Sequence, residues 1–172
     1  MTQLKPTDYQ IIAELTKNPR LSDRQLAKIL RISQPTVTRR RTNLEKEGLL
    51  EYRGSFNLEK LGFEIIAVVF GKRDYVKYPE NLFQKAIDFS KRHPNMIFAA
   101  PGVGLGYNVM SISIHKDYPD YARFIADMKR EAGEAMQVDS FLIDLHDKEV
   151  VQDLSLSRLA EHLSKQATSS ET

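Results

Sequence analysis

Cysteine is absent from the 172 residues, so disulfides, thiolate metal sites and thiol nucleophiles are excluded together. Histidine is scarce: His93, His115, His146 and His162 are scattered without metal-ligand spacing, and structural or surface roles are expected for them. Long apolar runs are missing too. The longest, Ile65 to Phe70, is far too short to cross a membrane. The opening residues Met1-Thr2-Gln3-Leu4-Lys5-Pro6 carry no positive patch followed by an apolar stretch, so no signal peptide is expected and the cytoplasm is the expected compartment. Net charge is only +2, which alone says little about partners.

The distribution of charge says more. Residues 1 to 60 hold 12 Lys and Arg against 7 Asp and Glu, a net of +5, whereas residues 61 to 172 hold 13 against 16, a net of −3. A basic head on a mildly acidic body suits a protein with one nucleic-acid-binding end. The hydrophobic share, 41%, is ample for one large domain or two small ones.

Apolar periodicity predicts a first helix from Thr7 or Asp8 to about Lys17, with Ile11, Ile12 and Leu15 on one face and Pro19 closing it. Ser22 opens a second helix, with Gln25 placed to reach back as a capping box and Leu26, Ala27 and Leu30 as its buried stripe. After Arg31 and Ile32 comes a second N-cap, Ser33, with Pro35 in the first turn and a pattern running through Val37 and Leu44 to Gly48. Three helices so spaced make a helix-turn-helix. Leu49 to Leu58 reads as two extended pieces around the Arg53-Gly54 turn, a small hairpin or wing.

From Glu64 the pattern alternates strand and helix. Strands are expected at Ile65–Gly71, Met96–Ala100, Tyr107–His115 and Phe141–Leu145. Helices are expected at Pro79–Arg92, with Leu82, Phe83, Ala86, Ile87 and Phe89 facing inward, and at Pro119–Ala132, with Tyr121, Phe124, Ile125 and Met128 buried. The order βαββαβ is a ferredoxin-like split βαβ sandwich, and the fold class is α+β. The first strand is apolar at successive positions, implying burial on both faces. One helical layer covers only one face, so a sheet-to-sheet homodimer through the C-terminal domain is expected. A last helix spans Ser157 to about Gln166, before a polar tail, Ala167–Thr172, expected to be disordered. The domain boundaries are thus 1–62 for the DNA-binding head with its linker, 63–150 for the dimerising and sensing body, and 151–172 for the terminal helix and tail.

On the third helix Val37 and Leu44 mark the buried side, and Pro35, Arg39, Thr42 and Lys46 lie nearly opposite. Pro35, Thr38, Arg39 and Thr42 form the candidate base-reading set, with Arg39 able to bond guanine through two donors. Ser33, Gln34 and Thr36 suit phosphate contacts at the helix N-terminus. Arg39, Arg40 and Arg41 cannot all face DNA, because together they span roughly 200° of the helix. Arg40 completes the candidate DNA-binding set, although it and Arg41 flank the core, along which their stems can lie.

The run Ser33-Gln34-Pro35-Thr36-Val37-Thr38-Arg39-Arg40-Arg41, continuing through Leu44-Glu45-Lys46-Glu47-Gly48-Leu49-Leu50, closely resembles the helix-turn-helix of the Lrp/AsnC, or feast/famine, regulators. The run Phe56–Gly62 and the βαββαβ body resemble that family's linker and sensing domain. The resemblance implies double-stranded DNA as partner, a dimer often assembled into tetramers or octamers, and amino acids or related metabolites bound between subunits. Two departures stand out. Arg41 occupies a place where the family usually has an aliphatic residue. The turn Gly102-Val103-Gly104-Leu105-Gly106-Tyr107-Asn108 lacks the aspartate that ends the family's ligand-binding turn, so ordinary amino acids are expected to bind poorly.

Gly102, Gly104, Gly106, Tyr107 and Asn108 are nonetheless the candidate effector-binding residues, with a plain turn as the other reading. A dinucleotide fingerprint is the wrong context, since this glycine run leads into a strand and not a helix. Siroheme decarboxylases resemble the same pairing of domains, but their His-Asn-Tyr-x-Arg stretch is absent: Gly106-Tyr107-Asn108 is followed by Val109. The expectation is a sequence-specific transcription regulator with no enzymatic activity and no cofactor; a DNA-coating architectural protein is the alternative.

Overall fold

A computed structural model describes residues 4–52, 54, 57–74, 82–151 and 159–169. In chain order its helices are α1 (Pro6–Lys17), α2 (Asp23–Leu30), α3 (Gln34–Lys46), α4 (Leu82–Arg92), α5 (Tyr118–Ala132) and α6 (Leu159–Ser169). Its strands are β1 (Ile65–Arg73), β2 (Met96–Gly104), β3 (Tyr107–His115) and β4 (Met136–Asp144). They divide into two units, residues 1–55 with 151–172, and residues 56–150.

In the first unit the helix ends follow local chemistry. Ser22 Oγ accepts from the Gln25 N–H at 3.3 Å while Gln25 Oε1 accepts from the Ser22 N–H at 2.8 Å, a reciprocal box that starts α2. Arg31 then turns the chain in a left-handed conformation, φ 55, and Ser33 Oγ accepts from the Thr36 N–H to open α3. The core is Ile11, Leu15, Leu26, Ala27, Val37 and Leu44. α1 begins at Pro6, where a missing N–H is harmless, and Asp8 accepts from the Lys5 N–H at 2.8 Å. α6 packs against α1 with Ala160 fully buried. It continues through residues 167–169, where the sequence reading placed a disordered tail; Ser157 and residues 170–172 lie outside the described residues.

The second unit is one antiparallel sheet in the order β2-β3-β1-β4, the ferredoxin-like arrangement. α5 packs against the sheet and α4 against α5. Ala67, Val69 and Val138 join Phe89, Tyr121, Phe124 and Met128 in a single core. Two strands run longer than the apolar pattern suggested: β2 continues past Ala100 to Gly104, and β4 begins at Met136. Polar Gln137, Asp139 and Ser140 broke the pattern, but pairing with Lys72, Phe70 and Val69 of β1 holds them.

Two inward assignments on α4 need correction. Phe83 is 65% exposed and Ala86 is exposed, because α4 stands off the sheet and both residues line an open cavity beneath it. Of the other residues assigned inward on α4, Phe89 is buried and Ile87 half-buried; the Leu82 side chain and residues 79–81 lie outside the described residues.

Strand alternation gives the sheet a second face. Ile66, Val68 and Phe70 point away from the helices, and the register sets Phe141 and Ile143 of β4 and Met110, Ile112 and Ile114 of β3 beside them. Phe141 is 63% exposed and Phe98 of β2, opposite Ile112, is 49% exposed. Among the described residues of this unit, no helix covers that face.

Candidate nucleic-acid interface

α3 is positioned by acidic residues that lie outside it. Asp23, at the first residue of α2, uses both carboxylate oxygens. Oδ1 pairs with Arg41 Nη1 at 3.0 Å, and Oδ2 accepts from Thr38 Oγ1 at 2.6 Å. Arg41 Nη1 also donates to the Leu21 carbonyl at 2.9 Å. One carboxylate thus ties the two helices of the motif together.

Arg41 carries the connection further. Its Nε donates to Tyr52 Oη at 2.6 Å, and Tyr52 donates to Glu45 Oε1 at 2.8 Å, with the guanidinium 5.1 Å from the Tyr52 ring centroid. Burial alone would lower the Arg41 pKa, but the bonds to Tyr52, Asp23 and Glu45 outweigh it and raise the value. Tyr52 is pushed up as well, by burial first and then by its bond to Glu45. The position the resemblance reserves for an aliphatic side chain therefore holds a long cation that bridges rather than packs. It anchors the segment that follows α3. Leu49–Tyr52 form no strand; of the expected hairpin turn, Arg53 lies outside the described residues, as do Ser55 and Phe56.

Arg40 is engaged separately. Its Nη1 lies 2.9 and 3.0 Å from the two oxygens of Asp8 on α1, with the side chains 19% and 9% exposed. The structure thus turns Arg40, assigned from sequence to the DNA-binding set, inward against α1. Gln34, Pro35, Arg39 and Thr42 are exposed. Ser33 and Thr36 bond each other through their hydroxyls at 2.8 Å at the start of α3, and Thr38 stays exposed with its hydroxyl committed to Asp23. Arg39 makes no ion pair or hydrogen bond among the described residues. Sequence reasoning did not find the roles of Asp8, Asp23 and Tyr52, because each acts on α3 from another segment.

In the second unit the glycine run is mostly strand. Gly102 and Gly104 belong to β2, Gly104 pairs with Tyr107, and Leu105 and Gly106 form a two-residue turn with φ 52 and 80, the signature of a type I′ hairpin. Both polar side chains beyond it are occupied. Asn108 accepts from the Arg73 N–H at 2.9 Å and donates to the Arg73 carbonyl at 3.2 Å. Tyr107 donates to Asp139 Oδ2 at 3.0 Å, a bond that raises its pKa. Asp139 comes from β4, so the fold sets a carboxylate beside a hairpin whose own sequence has none. Among the described residues no group of His, Asp and Glu could hold a metal ion, and no helix is long and apolar enough to cross a membrane.

Residues 4–51 match a family model described as winged helix-turn-helix DNA-binding. The chain is 31% identical over 133 residues to an HTH-type transcriptional regulator of Pyrococcus furiosus, covering 76% of this chain and 86% of that protein. Its fold matches LrpC of Bacillus subtilis at a TM-score of 0.67 and 24% identity, over 88% of this chain and 100% of that one. It also matches a Neisseria meningitidis transcriptional regulator solved with L-Met, at a TM-score of 0.74 and 19% identity, over 91% and 99%.

Proposed function

This chain belongs to the Lrp/AsnC family of DNA-binding helix-turn-helix transcription regulators, and from that premise we propose that it reads a specific duplex sequence as a homodimer with one α3 per protomer in the major groove. The observation that carries the reading is the contrast among three consecutive arginines. Arg40 and Arg41 are held by Asp8 and Asp23, whereas Arg39 is exposed and uncommitted. Arg39 reads a base edge beside Pro35 and Thr42, with Thr38 next to them, while Ser33, Gln34 and Thr36 meet phosphates where the helix N-terminus favours anions.

The apolar outer sheet face supports the dimer. Phe98, Phe141 and their neighbours are too large and contiguous a surface to be left in water. Two such faces packed together place the two heads for a pseudo-palindromic site; tetramers or octamers are further assemblies of that dimer. A small effector acts at the β2–β3 hairpin. The regulator of N. meningitidis was solved with an amino acid, L-Met, and Asp139 beside Tyr107 supplies the carboxylate an α-ammonium group needs. The expectation that amino acids bind poorly thereby loses its premise, and they are the class to test first.

One titration tests the readout. After selection of a preferred duplex, Arg39→Ala is expected to lose about 1–3 kcal/mol on that site and much less on random duplex at matched salt. Equal losses on both would reduce Arg39 to a phosphate contact and favour the coating protein. Sedimentation of Phe141→Glu should show monomer where the parent chain is dimeric.

A further inference from the structure

The space beneath α4 is a cavity of about 330 Å³, at the lower end of the range of ligand pockets. It lies within one protomer. Val69, Phe89, Met96, Met128 and Val138 wall it, and the methionines can re-pack around different shapes. Two hydroxyls interrupt the apolar lining: Ser90, whose Oγ donates to the Ile87 carbonyl at 2.7 Å, and Ser111, which is 5% exposed and makes no side-chain hydrogen bond among the described residues. Among the described residues no buried side-chain nitrogen or oxygen lacks a partner, so the Ser111 hydroxyl opens onto the cavity, where water or a ligand atom can bond it.

The mouth is cationic. Lys85 on α4 is exposed and makes no ion pair among the described residues, and Arg73 at the end of β1, which has an interaction of its own, lines the same opening. The acid at the rim, Glu131, is already held by Arg92 at 2.7 Å, so it does not cancel the lysine. An anionic head therefore meets the Lys85 ammonium at the opening while an apolar body fills the interior.

We propose that the cavity between α4 and the sheet is an intraprotomer ligand site, separate from the β2–β3 hairpin, that takes an apolar-tailed monocarboxylate. Fatty acids and branched 2-oxo acids share this chemistry. Ala99 and Pro101 of β2 and Val109 of β3 also line the cavity, so an occupant braces the base of the hairpin. Ligand in one site then changes the other through shared strands.

Calorimetric titration of the full chain with octanoate and with 4-methyl-2-oxopentanoate tests this, with octanol as the uncharged control. One saturable site per protomer is expected for at least one of the two acids, and the tighter acid names the source. Octanol should bind about tenfold or more weakly, as should the acid to Lys85→Glu, since a hydrogen bond to a charged group is lost in each case. Ala86→Trp, on the cavity-lining face of α4 where the cavity leaves Ala86 exposed, fills the cavity and should abolish binding while its thermal unfolding midpoint and DNA affinity stay at parental values. No saturable binding of either acid would overturn the proposal. So would octanol binding as tightly as octanoate, or acid binding that neither Lys85→Glu nor Ala86→Trp weakens.

Discussion

Removing the Asp8 carboxylate separates a structural arginine from the one proposed to read DNA. Asp8 accepts from the Lys5 N–H at 2.8 Å and from Arg40 Nη1 at 2.9 and 3.0 Å. In Asp8→Ala the backbone bond at the start of α1 accounts for about 1 kcal/mol, as helix N-terminal acceptors do. The charged bond adds about 1.5–3 kcal/mol. Breaking a fully buried pair would cost about 3–5 kcal/mol, but the Arg40 side chain retains 19% exposure and water recovers part of that. A loss of about 2–4 kcal/mol follows, read as a lowered urea midpoint with unchanged slope. Arg40→Met keeps the packed stem, leaves Asp8 its backbone donor, and should lose less, about 1–2 kcal/mol. The two losses should couple in a double-mutant cycle, since the residues share one contact. Under conditions where it is fully folded, Arg40→Met should bind selected and random duplexes as the parent does. Parental stability combined with a shallower salt dependence of DNA affinity would refute the reasoning, because Arg40 would then be spending its charge on phosphate.

Tyr52→Phe removes the hydroxyl that links Arg41 to Glu45 and should lower stability by about 1 kcal/mol; hydrogen exchange should show faster opening of residues 49–52, and unchanged exchange there would detach Tyr52 from the helix. Leu105→Asn should raise stability by about 0.5–1 kcal/mol in chemical denaturation, since leucine holds φ 52 while 86% exposed and asparagine tolerates that conformation better. His115 is fully buried against Tyr121 and Phe124, with Ser113, Asn95 and Asp120 around its ring, and burial lowers its pKa despite the opposing pull of Asp120. The unfolded chain therefore takes the proton first. This contribution to stability is complete above about pH 6.5, the ordinary histidine value, and is lost as pH falls toward the depressed folded pKa. His115→Gln should flatten the fall in urea midpoint between about pH 7 and pH 5; an equal fall in the variant would assign the acid sensitivity to other groups.

Element ends were legible where capping chemistry is local and illegible where tertiary pairing decides. Ser22 with Gln25, and Ser33 with Pro35, announce α2 and α3 within four residues of sequence. Nothing local announces that Gln137 and Asp139 are strand, because what holds them is Lys72 and Phe70 in β1. Periodicity on α4 identified a face but carried no distance: it turned Phe83 toward the sheet without saying that the sheet would be out of reach. The gap that leaves Phe83 exposed is the cavity itself, so the misplaced residue and the proposed ligand site have one structural cause. The hairpin shows the opposite gain. A turn without an acid acquired Asp139 from a strand that is not its sequence neighbour, and pairing order alone brought the two together.

The arginines of α3 show why the site itself was only half legible. Arg39, Arg40 and Arg41 are chemically identical and differ by about 100° of rotation apiece, which tells which two flank the core but not what becomes of their charges. Those charges are settled by Asp8 on α1 and Asp23 on α2. Were both acids neutral, Arg40 would be left partly buried and unpaired, with turning outward its cheapest escape, while Arg41 would keep only Glu45 as an acid partner, at 3.3 Å. α3 would then offer Arg40 beside Arg39, and a more loosely held Arg41, to the DNA backbone; affinity would rise on every sequence alike, and discrimination would fall. Asp8 and Asp23 are thus expected to contribute to specificity by withholding charge. The double substitution Asp8→Asn with Asp23→Asn carries the test: random-duplex affinity should increase more than selected-site affinity, with a steeper salt dependence. A uniform loss of binding to both duplexes, with the fold intact, would mean the acids serve only to hold the helices in place.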